Sequence, residues 1–277
     1  MTRLFVQAAV FPDGNNAQRL MYLAEELGMV VHVEPYVPFG GMRYDFLPDD
    51  GPVVFYGSVA LLRDAQRRGL SYAPLAWCDG QRLRCASYYP RWGRHLLQRE
   101  YGMYPLGDLP RLWPFLCATY GEDDAVFLRP DENDKEFTGE VVPREDFARW
   151  WACTAQAAPP PELLCVVARP VLIRAEWRLI IADGKVITGS QYRRRGSLCI
   201  EAGFPEDAAQ LAETAAAEWS PHPIFSVDVA ETPEGPRIIE LGSINCSGFY
   251  QCDLRSVARA MKTIAERDYE QRRGGRA

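Results

Sequence analysis

The sequence predicts a small α/β domain over residues 1–75, followed by a larger α+β domain over 123–268. A connecting region at 76–122 joins them and a tail covers 269–277. Three observations predict this. In the first 70 residues short apolar runs alternate with stretches of helical spacing, the order that gives parallel strands covered by helices. From Ala125 onward strands come in adjacent pairs instead. Two of those pairs meet at compact turn signals, Asp183-Gly184 and Pro233-Glu234-Gly235, which read as antiparallel hairpins.

The elements follow in order. Leu4–Val10 is an apolar strand, and Leu20, Leu23, Ala24 and Leu27 give residues 15–27 one apolar helical face ending at Gly28. Residues 29–33 and 52–56 are further strands; after Gly57-Ser58 a helix runs to Arg68, and Tyr72–Leu75 is a short strand. Residues 78–122 are rich in Trp, Tyr, Pro and Arg and weakly periodic, with one helix expected at 91–100, and read as a region packed between domains. Strands at 125–129 and 138–142 pair. A helix at 144–157 ends at the run Pro159-Pro160-Pro161, and 163–168 is a buried strand. Strands 175–182 and 185–192 flank Asp183-Gly184. A helix follows at 206–219, then strands 224–230 and 237–241, and a last helix at 254–267 before a disordered tail around Arg272–Arg276.

Composition narrows the function classes. The net charge is −6 over 277 residues, which argues against a general nucleic-acid binder. The longest apolar runs are too short and too interrupted to span a membrane. The N-terminus lacks a secretory cleavage region, so a cytoplasmic protein is expected. Eight scattered cysteines without C-x-x-C spacing read as reduced thiols, and three dispersed histidines do not suggest a His-based metal site.

Strand alternation places chemistry on two hairpins. A two-residue loop at Asp183-Gly184 puts Arg178 opposite Gly189, Glu176 opposite Gln191 and Arg174 opposite Arg193. One face then carries Arg174, Glu176, Arg178, Gln191 and Arg193, and the other carries Trp177, Leu179, Ile181, Val186 and Ser190. The charged face is either a solvated ion-pair lattice or an anion site, because guanidinium forks match phosphate. In the second hairpin, a three-residue loop puts Asp228 opposite Glu240 within apolar sequence. Two carboxylates about 5 Å apart on one face repel. Either they face solvent, or a divalent cation such as Mg²⁺ resolves the conflict, with Asn245 close by as a further oxygen donor.

The chain has only three lysines, Lys135, Lys185 and Lys262. Lys135 stands in a turn between two strands, where a flexible point charge can reach over a polyphosphate; Arg129 at the preceding strand end supplies a second cation. There is no G-x-x-x-x-G-K-[ST] loop, protein-kinase motif set or G-x-G-x-x-G.

The stretches "VFLRPDENDKEFTGEV", "AEWRLIIADGKVITGSQYR" and "FSVDVAETPEGPRIIELGSINCSGFY" resemble, in order, the ATP-grasp family, most closely a branch with Arg in place of the usual first nucleotide-binding Lys. The resemblance implies a small N-terminal α/β domain, called pre-ATP-grasp, before a two-lobed ATP-grasp domain that binds ATP and Mg²⁺. It implies phosphate contacts from Arg129, Lys135, Arg178 and Arg193, with Lys135, Arg178 and Arg193 catalytic. It further implies adenine held by the backbone of Val166, Val167 and Ala168, and metal held by Asp228 and Glu240 with Asn245. Many family members have Asn two residues after the metal Glu, where this chain has Gly242. The activity implied is an ATP-dependent carboxylate–amine ligase passing through an acyl phosphate, acting on small-molecule or peptide acids and amines. The alternatives are a kinase of a small molecule or peptide on the same scaffold, or a non-catalytic nucleotide-binding protein. Oligomeric state, monomer or homodimer, is open.

Overall fold

A computed structural model describes residues 1–7, 14–33, 51–59, 62, 77–132, 137–245 and 247–274. Strands β1 (Arg3–Val6), β2 (Val30–Val33) and β3 (Val53–Tyr56) form a parallel sheet in the order β2-β1-β3. Helix α1 (Gly14–Glu26) buries Ala17, Leu20, Leu23 and Ala24, the face its spacing predicts. Most of the helix expected after Gly57 and the strand expected at 72–75 lie outside the described residues.

The segment expected to be a connector is organised differently. It holds a one-turn helix α2 (Gly80–Leu83), α3 (Cys85–Trp92), β4 (Tyr101–Pro105) and α4 (Leu109–Tyr120). The helix expected at 91–100 is not formed. A single 3-10 turn at Gly93–His95 follows α3, and Leu97 N–H then bonds to Ile238 O at 2.7 Å. Pro90 and Pro114 lie inside α3 and α4, where they obscure the helical signal.

Strand β4 joins β5 (Ala125–Pro130), β6 (Glu140–Pro143) and β7 (Leu164–Ala168) in an antiparallel sheet of order β4-β7-β5-β6. Alternation sends Val126, Leu128, Cys165 and Val167 to one face. There they meet Leu109, Trp113 and Leu116 of α4, and Phe147 and Trp150 of α5 (Phe147–Gln156). Arg129 and Val166, paired across β5 and β7, take the opposite face. This is the smaller lobe.

The larger lobe is a five-stranded antiparallel sheet built from β8 (Ala175–Ala182), β9 (Lys185–Arg194), β10 (Ser197–Ala202), β11 (Ile224–Thr232) and β12 (Gly235–Gly242), in the order β10-β9-β8-β11-β12. Edge strand β10 is an addition to the elements the sequence predicts; it is largely exposed, Leu198 and Ile200 included. Trp177, Leu179, Ile181, Val227 and Val229 pack against α6 (Glu206–Glu218), whose Ala208, Ala212, Ala215 and Ala216 allow a close approach. Ile180, Ala182 and Ile224 point the other way, into a core shared with the N-terminal domain and α7 (Leu254–Gly274).

Helix α7 runs seven residues past the end the sequence suggests. Tyr269 is buried, and the Arg273 guanidinium lies 5.8 Å from its ring centroid. The expected disordered tail is therefore helical through Gly274. No helix among the described residues is long and apolar enough to cross a membrane.

Candidate active site

Hairpin geometry sets the site. Asp183 and Gly184 have φ of +47° and +79°, the two left-handed residues of a type I′ turn, and Ala182 pairs with Lys185 as expected. Two bulges then interrupt the ladder. Arg178 pairs with Ser190 rather than Gly189, and Glu176 with Arg193 rather than Gln191. Arg174 lies just before β8, its carbonyl accepting from Arg195 N–H. Gln191 pairs with Trp177, which belongs to the apolar face. Its place beside Arg178 is taken by Tyr192, the extra residue of the second bulge. Ser190, expected with the apolar set, stands opposite Arg178.

In the second hairpin Asp228 does pair with Glu240, but by another route. The loop is two residues long, with Thr232 paired to Gly235, and the register is restored by a bulge at Ile239. That bulge frees a carbonyl from the ladder, and Arg129 Nη1 donates to it at 3.1 Å.

The carboxylates and cations form one connected array. Arg178 donates from Nε and Nη2 to the two oxygens of Asp228, both at 2.8 Å. Arg129 Nη2 donates to Glu240 at 2.8 Å, joining the smaller lobe to the larger. Tyr192 donates to Glu176 at 2.7 Å and lies 3.2 Å from Asp228, while Arg193 Nη1 is 3.6 Å from Glu176. The repulsion expected between Asp228 and Glu240 is relieved here by two arginines, each holding one acid. Burial works against the Arg178 charge, but Asp228 outweighs it and holds the guanidinium above its ordinary pKa.

The other expected site residues are placed as follows. Lys135 lies outside the described residues. Asn245 is spent on the N-terminal domain: it is fully buried, accepting from Gly57 N–H at 3.0 Å and donating to Gly57 C=O at 2.9 Å. Gly242 faces Ser226, and a Cβ there would stand 2.8 Å from Ser226 Oγ. Ser226 in turn bonds Ser247 at 2.8 Å, so an Asn at 242 has no room unless this hydroxyl pair moves. Val166, Val167 and Ala168 lie in an interior strand, paired to β4 on one side and β5 on the other. Their backbone is committed to the sheet, and both ladders end at Ala168, so the link between the lobes begins at Arg169. That link, with Leu97–Glu100 and the tip of the β11–β12 hairpin, lines a cleft of about 670 Å³.

The donor set suits a hard divalent ion. Asp228 and Glu240 offer oxygens from adjacent strands, and Mg²⁺ is commonly held by one or two carboxylates together with phosphate oxygens. Among the described residues no group of three or more His, Cys, Asp or Glu is placed to hold a metal ion. Sequence reasoning missed Tyr192 and Tyr250. The bulge that turns Tyr192 to this face leaves no pattern in the sequence, and Tyr250 comes from the loop after β12.

A search of curated protein sequences finds no match. The fold is shared with D-cycloserine synthetase DcsG, at 16% identity and TM-score 0.68 over 95% of this chain and 100% of that one. It is also shared with a RimK domain ATP-grasp protein from Sphaerobacter thermophilus DSM 20745, at 16% identity and TM-score 0.65 over 96% and 98%. The ATP-grasp ligase PsnB complexed with a minimal precursor gives 13% identity and TM-score 0.56 over 95% and 98%. A family model for the ATP-grasp domain, the second family of its clade, matches residues 113–260. These residues hold the larger lobe, most of the smaller one and every acid and cation of the array described above, and the chain belongs to the ATP-grasp family.

Proposed function

We propose that the protein is an ATP-dependent carboxylate–amine ligase. The observation that carries this reading is the pair of arginine–carboxylate contacts where the lobes meet, Arg129 with Glu240 and Arg178 with Asp228. Phosphoryl transfer asks a protein mainly for positioning and charge neutralisation, and this array supplies cations for phosphate and acids for a cation. Arg129, Arg178 and Arg193, with Lys135, bind the phosphates. The adenine lies against the inter-lobe link from Arg169 onward. Asp228 and Glu240 would hold a magnesium ion, which when bound neutralises charge on the phosphate oxygens.

An oxygen of the acceptor carboxylate attacks the γ-phosphorus, the bond to the β–γ bridging oxygen breaks, and ADP leaves. The amine nitrogen then attacks the acyl carbon, the bond to phosphate breaks, and the nitrogen loses a proton as the amide forms. The acceptor is a small molecule or peptide. Support for that range comes from the shared fold of D-cycloserine synthetase and of PsnB, a ligase complexed with a precursor.

The test is incubation with ATP, Mg²⁺ and a library of amino acids and short peptides, with and without hydroxylamine. The expected result is ADP formation that depends on a particular acid, and its hydroxamate when hydroxylamine is present. A stable phosphorylated product that hydroxylamine leaves intact would establish a kinase instead, and release of AMP with pyrophosphate would exclude both.

A further inference from the structure

Two tyrosines frame Arg178. The Tyr192 and Tyr250 rings stack, with centroids 5.1 Å apart and planes 10° from parallel. The Arg178 guanidinium carbon lies 5.8 Å from the Tyr192 centroid and 5.3 Å from that of Tyr250. Tyr250 is held in the left-handed region at φ +50°, which a bulky side chain adopts only where its surroundings dictate it. Three contacts dictate it. Asn16 Nδ2 donates to Tyr250 O at 3.1 Å, Gln251 N–H donates to Ser190 Oγ at 3.2 Å, and Arg178 Nη1 donates to Gly248 O at 3.1 Å. The N-terminal domain, the large sheet and Arg178 itself thus fix the loop that carries the ring. Tyr192 adds a second constraint. Its hydroxyl has one proton and lies within reach of two carboxylates, Glu176 and Asp228.

We infer that Tyr192 and Tyr250 are positioning residues of the active site: Tyr250 fixes the plane of the Arg178 guanidinium through its ring, and the Tyr192 hydroxyl fixes the orientation of Asp228 and Glu176. The functional part of this rests on the nucleotide-binding reading above. A planar fork recognises phosphate only in the right orientation. Arg178 has soft torsions along its side chain, and its one strong partner, Asp228, is the acid that a cation would claim. The rings hold the guanidinium by a contact that does not compete for that acid. The two tyrosines act differently, so their conservative variants should separate: Tyr250 acts through its ring and Tyr192 through its oxygen.

The experiment uses the whole chain and two readouts. The first is the NMR signal of the Arg178 Nε–H, assigned by its loss in Arg178→Lys. Between hydrogen bond and aromatic faces it should be sharp and shifted by the rings. It should survive Tyr250→Phe and revert towards ordinary arginine values in Tyr250→Leu. The second is calorimetric affinity for Mg-ADP. Tyr250→Leu and Tyr192→Phe should each bind about ten-fold more weakly, with melting temperatures close to the parent's, and Tyr250→Phe should bind like the parent. An unchanged Arg178 signal in Tyr250→Leu, or unchanged Mg-ADP affinity in both Tyr250→Leu and Tyr192→Phe, overturns the inference. If the parent chain does not bind Mg-ADP, the nucleotide reading fails. The arginine signal still decides whether the rings position Arg178.

Discussion

Replacing Asp228 by Asn gives a sharp test, because two readings of the same residue predict opposite signs. If Asp228 and Glu240 were two bare acids facing each other, neutralising one would relieve repulsion and stabilise the fold. In the structure Asp228 is instead 4% exposed and receives both arms of Arg178 at 2.8 Å. An amide of the same shape keeps one acceptor and presents its NH₂ to the other arm. Arg178 is left with a buried charge lacking its counter-ion. Removing one member of a buried pair costs about 3–5 kcal/mol; the contacts of Arg178 to Gly248 and the tyrosine rings set the expectation at the low end, about 3 kcal/mol. For a chain of this size that is a fall in Tm of about 5 °C. Glu240→Gln should cost somewhat less, about 2 kcal/mol, since it too removes the counter-ion of a buried guanidinium, Arg129, but Glu240 is 28% exposed and bonded to one arm only. The assay is urea unfolding without nucleotide or metal, supported by calorimetry. Adding Arg178→Met to Asp228→Asn should recover part of the loss. An Asp228→Asn protein as stable as the parent, or more stable, would refute the reasoning.

Three further outcomes are expected. Asn245→Ala removes two buried hydrogen bonds to the Gly57 backbone and should cost about 1–3 kcal/mol, read as a lower urea midpoint and faster hydrogen exchange at the C-terminal end of β3. Gly242→Asn, which introduces the residue common in the family, should destabilise the fold and leave Mg-ADP affinity no higher, because the new Cβ meets Ser226 Oγ; tighter binding would show that a ligand had been gained. His222 is held neutral by burial and then by the Arg82 charge, its pKa pushed down to about 4 from 6.5, and its Nε2 accepts from Asp79 N–H at 3.0 Å. Below pH 6.5 the unfolded chain takes up a proton that the folded one refuses, so this contribution to stability is lost as pH falls towards 4. His222→Gln should flatten the change in urea midpoint between about pH 6.5 and 5; an identical slope would contradict the assignment.

What can be read from the sequence divides along physical lines. Asp183-Gly184 dictates its own turn, so the hairpin and the pairing nearest the turn are legible. The ladder beyond is not, since bulges at Ile187 and Tyr192 depend on packing of the sheet rather than on residue type. A three-residue loop predicts Asp228 opposite Glu240. The chain instead uses a two-residue loop and a bulge, which move the register in compensating directions. Region 78–122 hides a strand and three helices because one helix is a single turn, Pro90 and Pro114 sit within the other two, and aromatic residues blur the period. Asn245 is legible as a polar group near the acids, but its partner, Gly57, is 188 positions away, and no local pattern reports such a pairing.

Helix α7 also bears on how the chain is made. The last helix supplies much of the cover over the first domain. Thr2 bonds Glu266, Lys262 bonds Leu27 O, and Arg255 bonds Glu26, while Val257, Met261 and Ile264 fill the core beside Leu4, Leu20 and Val54. During synthesis the strands of the first domain emerge before this wall and lack it until residues 254–274 have followed. At about 5–20 residues per second, they wait on the order of ten seconds or more with apolar surface uncovered. These contacts, among the most sequence-distant of the described residues, therefore close late. A ribosome-stalled chain lacking α7 should keep β1 and β3 open to protease after the two lobes have become resistant.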